Sequence, residues 1–146
     1  MTLTGAAALI TGGKRIGAAV AVDLARAGAD VALVYNRSRD EADQTAESVR
    51  AEGRRALVAQ ADLSDPAQCR AVVDHVAAEL GRLDVLVNMA SRYERKDYAA
   101  LTDDDWDRGL AVDLRASHVC TQAAVPHMRR QGGGRVVLFA DWVAAS

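Results

Sequence analysis

The strongest constraint on the fold is an apolar run near the N-terminus that leads straight into a glycine-bearing turn, Ala6-Ala-Ala-Leu-Ile-Thr-Gly-Gly-Lys-Arg-Ile-Gly17. A helical pattern follows the turn. Because Gly12, Gly13 and Gly17 lack side chains, the backbone can come close to a ligand, and the next helix offers unpaired N–H groups to an anion. The segment predicts a dinucleotide at the carboxyl end of a parallel sheet. A ligand-free strand–helix turn is the alternative, since the spacing departs from G-x-G-x-x-G.

Apolar runs and helical patterns alternate along the rest of the chain. The runs are continuous, which is typical of strands covered on both faces. They predict strands over residues 6–10, 30–35, 56–59, 84–87 and 136–140. Helices are predicted over residues 16–27, 39–52, 66–80 and 103–130, the last with a bend near Gly109. This alternation predicts an α/β fold, a Rossmann-like doubly wound parallel sheet with right-handed crossovers, and one domain over residues 1–146.

Residues typical of helix ends support these boundaries. Gly28 and Gly53 follow the first two helices, where glycine is common. Asp65 precedes Pro66 and is a predicted N-cap. Thr102, with an acid three residues later, predicts a capping box at the start of the fourth helix.

The segment after the second predicted strand bears on the choice of dinucleotide. Folds that bind NAD place an acid here, to accept from the ribose 2′-OH, yet Val34-Tyr-Asn-Arg-Ser38 has none and Asp40 is the first. Arg37 offers a planar fork of donors that matches a phosphate, and Ser38 adds a hydroxyl. We therefore predict NADP(H), with NAD(H) as the less favoured cofactor. Alternatively, Arg37 is a solvated surface charge.

Two further loops of small and polar residues follow predicted strands. Ala61-Asp-Leu-Ser-Asp65 comes after the third strand, and Asn88-Met-Ala-Ser91 comes after the fourth. Both fall at strand carboxyl ends, on the side where a ligand is expected. Each segment alone is equally consistent with a helix cap or a turn.

Together these segments resemble the classical short-chain dehydrogenase/reductase family, in collinear order over the whole chain. The stretch Thr11–Gly17 resembles its T-G-x-x-x-G-x-G loop, one residue shorter, and Tyr35–Ser38 resembles the NADP-selecting segment of pteridine-reductase-like members. Asp62 matches an aspartate that contacts the adenine amino group, and Asn88–Ser91 matches the N-N-A-G motif with Met89 and Ser91 substituted. The resemblance implies cofactor-binding roles for Thr11, Gly12, Gly13, Lys14, Arg15, Ile16, Gly17, Tyr35, Asn36, Arg37, Ser38, Asp62, Leu63, Asn88, Met89, Ala90 and Ser91.

The resemblance also identifies two altered active-site positions. Asp113 stands where the family has a helix-bending Asn, which acts largely through its backbone carbonyl. Asp141 stands where most members have a catalytic Ser, as it does in pteridine reductases, and a carboxyl there can steer a proton. The family's Tyr-x-x-x-Lys pair does not occur in the 146 residues. The resemblance thus implies an N-terminal portion, inactive alone, of a reductase.

Composition and charge limit the kinds of molecule that the protein is expected to bind. Half of the residues are hydrophobic and the net charge is -2, with acids and bases mixed along the chain. This excludes a nucleic-acid surface and a polybasic membrane patch, and no apolar run approaches the roughly 18 residues of a membrane span. Cys69 and Cys120 show neither metal-ligand spacing nor a disulfide framework, and we predict no metal site. With no signal peptide at the N-terminus, a cytoplasmic protein is expected.

The sequence thus favours an NADPH-dependent oxidoreductase that transfers a hydride to a carbonyl or a C=N bond. The pterin-like substrate rests on the resemblance alone, and 3-oxoacyl and sugar carbonyls remain open. A full-length protein is expected to form a homodimer or homotetramer. The alternative is a non-catalytic NADP(H)-binding sensor or scaffold module.

Overall fold

A single parallel sheet organises the chain. The computed structural model describes residues 2–12, 14–92 and 94–139. The strands are β1 (Ala7–Thr11), β2 (Asp30–Tyr35), β3 (Ala56–Gln60), β4 (Val85–Asn88) and β5 (Arg135–Leu138), in the spatial order β3-β2-β1-β4-β5. The helices are α1 (Ile16–Arg26), α2 (Arg39–Ala51), α3 (Pro66–Leu80), α4 (Asp103–Leu110) and α5 (Ala116–Arg130). The predicted Rossmann-like fold is confirmed.

The strand order reverses between β1 and β4. From β1 the chain builds outward through β2 to β3, then returns past β1 to start β4 on its other side. In open α/β sheets, ligands bind outside the strand carboxyl ends at such a switch point. The sheet order therefore places a binding crevice beside the ends of β1 and β4.

Each face of the sheet has its own core. Ala7 and Leu9 of β1 pack into a cluster with α3 and α5, whereas Ala8 and Ile10 pack into a second cluster with α1 and α2. Since alternate residues of a strand point to opposite faces, a strand buried on both faces must be apolar throughout. This explains the continuous apolar runs in the sequence.

Strand ends differ from the prediction by one or two residues, and the carboxyl ends of three strands extend by one polar residue. β2 and α3 have the predicted bounds, but β1, β3 and β4 extend to Thr11, Gln60 and Asn88. Thr11 pairs with Val34 on one side and Asn88 on the other. Polar side chains end an apolar run without ending the backbone ladder, so the pattern stops one residue early. For β5, the predicted end at Ala140 lies outside the described residues.

The predicted capping residues are confirmed, although α1 and α2 each end one residue before the predicted position. The Asp65 carboxylate accepts from the Ala67 N–H at 2.8 Å. Thr102 and Asp105 form a reciprocal capping box. Gly28 and Gly53 have φ of 104° and 74°, the left-handed region that glycine enters without strain.

The predicted division of the long fourth helix into a short and a longer helix is confirmed, but the break begins two residues after Gly109. Gly109 is regular within α4, and the irregularity is a π-helical segment at Ala111–Arg115 that separates α4 from α5. A π turn inserts an extra residue into the helical hydrogen-bond ladder. This does not require a glycine. None of the helices in the described ranges is long and apolar enough to cross a membrane.

Candidate functional site

A cleft of about 810 Å³ opens at the carboxyl ends of the strands, at the switch point. The loops after β1, β2, β3 and β4 all contribute to it. The structure thus brings together segments that are far apart in sequence. Candidate residues that line the cleft are Gly12, Lys14, Tyr35, Asn36, Arg37, Ser38, Asp62, Leu63, Met89, Ala90 and Ser91. Gly13 and Asp141 lie outside the described residues.

Two glycines allow the loop after β1 to pack closely. Gly12 has a φ of 80°, and a Cβ there would lie 2.8 Å from the Ala90 Cα atom. A Cβ on Gly17 would lie 2.5 Å from the carbonyl oxygen of Gly12. Any larger residue would push this loop away from α1 or from the loop after β4, so both glycines preserve the cleft's shape.

Thr11 and Asn88 belong to the framework behind the cleft. Both are buried. The Thr11 hydroxyl accepts from the N–H groups of Met89 and Ala90, each at 3.3 Å. Asn88 donates from its side-chain amide to the Thr121 hydroxyl at 3.4 Å. These contacts fix the two central loops relative to each other.

The N-terminus of α1 is open toward solvent. Its N-cap residue, Arg15, has a φ of 47°, a strained conformation for a residue with a side chain. Arg15 makes no side-chain cap hydrogen bond within the described part of the chain, and the first turn holds no acid. Ile16 is 63% exposed. An uncapped helix N-terminus of this kind suits an anion.

Arg37 and Ser38 line the cleft at the end of β2. Ser38 is the N-cap residue of α2, yet its hydroxyl makes no cap hydrogen bond in the region that the structure describes. The Asn36 carbonyl accepts from the Gln60 amide at 2.9 Å, which fixes the turn between β2 and α2. A basic residue and a hydroxyl-bearing residue are thus adjacent in the cleft wall.

Asp62 holds a tight turn after β3. One carboxylate oxygen accepts from the Ser64 N–H at 2.9 Å and from the Ser64 hydroxyl at 2.7 Å. These hydrogen bonds lower the pKa of Asp62, with a smaller contribution from the charge of Arg37. Asp62 is therefore an ionised, oriented acceptor at neutral pH. Leu63, next to it, is buried.

The loop after β4 forms the floor of the cleft. Met89 and Ala90 are half-buried and pack against opposite core clusters, on the α1 and α3 sides of the sheet respectively. Ser91 is exposed in the cleft wall. The thioether of Met89 also lies against the glycine loop, 3.4 Å from where a Gly17 Cβ would stand.

Asp113 lies on the π-helical segment, next to this loop. Its carboxylate accepts from the Arg92 N–H at 2.7 Å. Two residues further, Arg115 donates to the Ser64 carbonyl at 3.0 Å. The family resemblance predicted a backbone role for Asp113, whereas in the structure its side chain forms a hydrogen bond. The contact of Arg115 was not predicted from the sequence.

Sequence reasoning also missed Glu41. The Lys14 ammonium lies 3.0 Å from the Glu41 carboxylate, in the first turn of α2. This hydrogen bond lowers the pKa of Glu41. The sequence shows only that an acid follows Arg37-Ser38 by a few residues. It gives no indication that this acid pairs with Lys14, which is distant in the sequence.

Comparison with known proteins defines the class. Residues 6–141 match the family model described as short chain dehydrogenase. The chain belongs to the short-chain dehydrogenase/reductase family of oxidoreductases, as its sequence predicted. It is 42% identical over 135 residues to "Probable galactose dehydrogenase GalD" of Rhizobium meliloti, a match that covers 91% of this chain and 52% of GalD.

Solved structures agree with this assignment. A short chain dehydrogenase from Burkholderia cenocepacia, in complex with NADP, is 46% identical with a TM-score of 0.83, over 87% of this chain and 52% of that one. A blue fluorescent protein from a metagenomic library, in complex with NADPH, is 37% identical with a TM-score of 0.81, over 93% and 56%. The chain spans about half the length of these relatives.

Proposed function

We propose that the cleft binds NADP(H) and that the protein is an NADPH-dependent oxidoreductase acting on a carbonyl or C=N bond. The observation that carries the proposal is Arg37 beside Ser38 at the end of β2, where an NAD-binding fold places an acid. The complexes of the two relatives with NADP and NADPH support it.

The shape and charge of the cleft fit such a cofactor. Gly12 and Gly17 keep the loop after β1 compact, and the uncapped N-terminus of α1 faces the same side. A helix N-terminus with glycine-bearing backbone is a general site for a pyrophosphate. Among the described residues, three with cationic side chains, Lys14, Arg37 and Arg92, line the cleft.

Each loop has a proposed role toward the dinucleotide. Arg37 and Ser38 hold the 2′-phosphate by charge-assisted hydrogen bonds. Asp62 accepts from the adenine amino group, and Leu63 supports the ring. The backbone from Thr11 through Gly17 holds the pyrophosphate side, with the Lys14 side chain, paired with Glu41 of α2, near the 2′-phosphate. Asn88 through Ser91 shape the floor under the second ribose.

The reaction needs a hydride and a proton. Bound NADPH supplies the hydride. Tyr35, Tyr93 and Tyr98 have no Lys four residues on, so none matches the Tyr-x-x-x-Lys pair that the family resemblance implies as proton donor. Asp113 orients the loop after β4 through the Arg92 N–H, and Asp141 is proposed to contact the substrate. A chain of residues 1–146 alone is expected to lack turnover.

The proposed substrate is a small molecule with a carbonyl or a C=N bond. A sugar carbonyl gains support from the name of GalD, while a 3-oxoacyl or pterin-like substrate stays compatible with the family resemblance. The protein is proposed to work as a homodimer or homotetramer. Cys69 and Cys120 are buried thiols without a disulfide, which suits the reducing cytoplasm.

A hydride-transfer assay tests this function. The chain, with whatever natural sequence follows Ser146, is mixed with NADPH and panels of sugars, 3-oxoacyl esters and pterins, and absorbance at the cofactor's reduced band is followed. Oxidation of NADPH that depends on the presence of one substrate panel supports the proposed oxidoreductase activity. Tight NADPH binding with no turnover on any panel would instead support the sensor or scaffold module.

A further inference from the structure

The ion pair between Lys14 and Glu41 joins two segments that line the proposed cofactor cleft. Lys14 comes from the loop after β1, and Glu41 comes from the first turn of α2. Their charged atoms are 3.0 Å apart, with side chains 62% and 50% exposed. Both residues line the cleft, and Glu41 lies in the first turn of α2, which begins directly after Ser38. The pair therefore stands where the phosphorylated end of the cofactor is proposed to bind.

Glu41 differs from the neighbouring acids of α2 in its position at the cleft. Asp43, two residues further along α2, forms an ion pair with Arg39 at 3.3 Å. Asp40 shares the first turn with Glu41, but of the two only Glu41 is among the described residues that line the cleft. The carboxylate of Glu41 is thus the acidic group of this helix that an incoming phosphate would meet.

Two effects of Glu41 oppose a phosphate. A carboxylate accepts hydrogen bonds only, so it repels a phosphate bearing a charge of about −1.5 to −2. It also occupies one of the three donors of Lys14. Neither effect acts on a ribose 2′-hydroxyl, which is neutral and can donate to a carboxylate.

We propose that Glu41 is a positioning residue that sets cofactor selectivity through Lys14, reducing the preference for a 2′-phosphate over a 2′-hydroxyl. This inference rests on the proposed function, because it needs a dinucleotide in the cleft. An exposed ion pair is weak in water, so Lys14 exchanges readily between Glu41 and a phosphate. Arg37 and Ser38 then provide the preference for NADP, and Glu41 moderates it.

Equilibrium binding of NADP⁺ and NAD⁺, without substrate, tests the proposal. Dissociation constants are measured by calorimetry on the chain with its natural downstream sequence. Glu41→Gln keeps the size of the side chain and removes its charge. We expect NADP⁺ to bind about two- to fivefold more tightly, from an exposed charge contact of this size, and NAD⁺ to change less than about 1.5-fold.

The matched control is Asp40→Asn, which removes the same charge from the same helical turn. Its effect on the ratio of the two dissociation constants should be less than half that of Glu41→Gln. The thermal unfolding midpoint of each unliganded variant shows whether either change disturbs the fold.

A double-mutant cycle tests the route through Lys14. In a Lys14→Gln background, Glu41→Gln should shift the NADP⁺/NAD⁺ ratio much less than it does in the natural chain. An equal shift in both backgrounds would mean that Glu41 acts without Lys14, which overturns the proposed route.

Other outcomes separate this inference from the proposed function. If the natural protein binds neither dinucleotide, both fail together. If it binds NADP⁺ but Glu41→Gln leaves the ratio unchanged, or Asp40→Asn shifts it equally, the function stands and the role of Glu41 is overturned. Should Glu41→Gln fail to fold, Lys14→Gln alone must lower the preference for NADP⁺, and an unchanged ratio would again overturn it.

Discussion

Gly12 is subject to two constraints at once, a positive φ and a close approach to Ala90. Gly12→Ala should cost the fold about 2–4 kcal/mol, because backbone strain of about 1–3 kcal/mol adds to the clash. Gly53→Ala is the control, since Gly53 has a similar φ of 74° with nothing within 4 Å of its added Cβ. Chemical denaturation gives both values. Equal losses would show that the close approach contributes nothing.

Arg37 carries the predicted selectivity. Arg37→Ala should remove most of the preference for NADPH over NADH, about 1.5–3 kcal/mol for a charge-assisted contact. Arg39→Ala, which removes a neighbouring guanidinium paired with Asp43, should leave the preference nearly unchanged. Fluorescence titration with each cofactor measures it. The same loss in both variants would point to general electrostatics rather than to a specific phosphate contact.

Asp62 is predicted to act on the part shared by both cofactors. Asp62→Ala should weaken NADPH and NADH alike, since adenine is common to them, and leave their ratio unaltered. The variant also loses the turn with Ser64, so Ser64→Ala serves as a comparison for the effect of the turn alone. A large change in the ratio would mean that Asp62 lies near the 2′-phosphate instead.

At the scale of elements, the π-helical segment connects two loops of the cleft. Asp113 holds the loop after β4 through Arg92, and Arg115 holds the loop after β3 through Ser64. These loops follow strands that are not neighbours in the sheet. One short segment therefore bears on both ends of the cleft.

Arg115→Met tests this connection, because it keeps the apolar stem and removes the donor. Affinity for both dinucleotides should fall about two- to fivefold, while stability changes by less than about 1 kcal/mol, the usual value of one exposed hydrogen bond. Arg108→Met, whose guanidinium bonds within α4, is the control. Titration and denaturation check both quantities, and unchanged affinity in Arg115→Met would contradict the connection.

Elements with a local signal could be predicted from the sequence, and contacts between elements could not. Apolar runs and caps such as Asp65 predicted most boundaries, because burial and capping depend on near neighbours. Lys14 and Glu41 meet only because β1 and β2 are adjacent, and the Arg115–Ser64 contact likewise depends on packing. The π turn at Ala111–Arg115 carries no residue signature, so the bend was assigned to Gly109.

For the molecule as a whole, β5 presents an exposed apolar surface. Val136, Val137, Leu138 and Phe139 are 37–62% exposed, and within the described residues β5 pairs with β4 alone. Such an edge favours pairing with another chain. A protein of residues 1–146 alone should self-associate at micromolar concentration, and Val137→Lys should reduce this. Sedimentation showing a stable, cooperatively folding monomer of the unaltered chain would contradict the prediction.

The central claim is that the cleft at the switch point recognises a 2′-phosphorylated dinucleotide. Calorimetric titration of NADPH and NADH, under one salt condition, into the chain with its natural downstream sequence tests it most directly. The structure predicts that NADPH binds at least about tenfold more tightly, corresponding to ~1.4 kcal/mol from Arg37 and Ser38. Equal affinity for the two cofactors, or tighter binding of NADH, would contradict the claim.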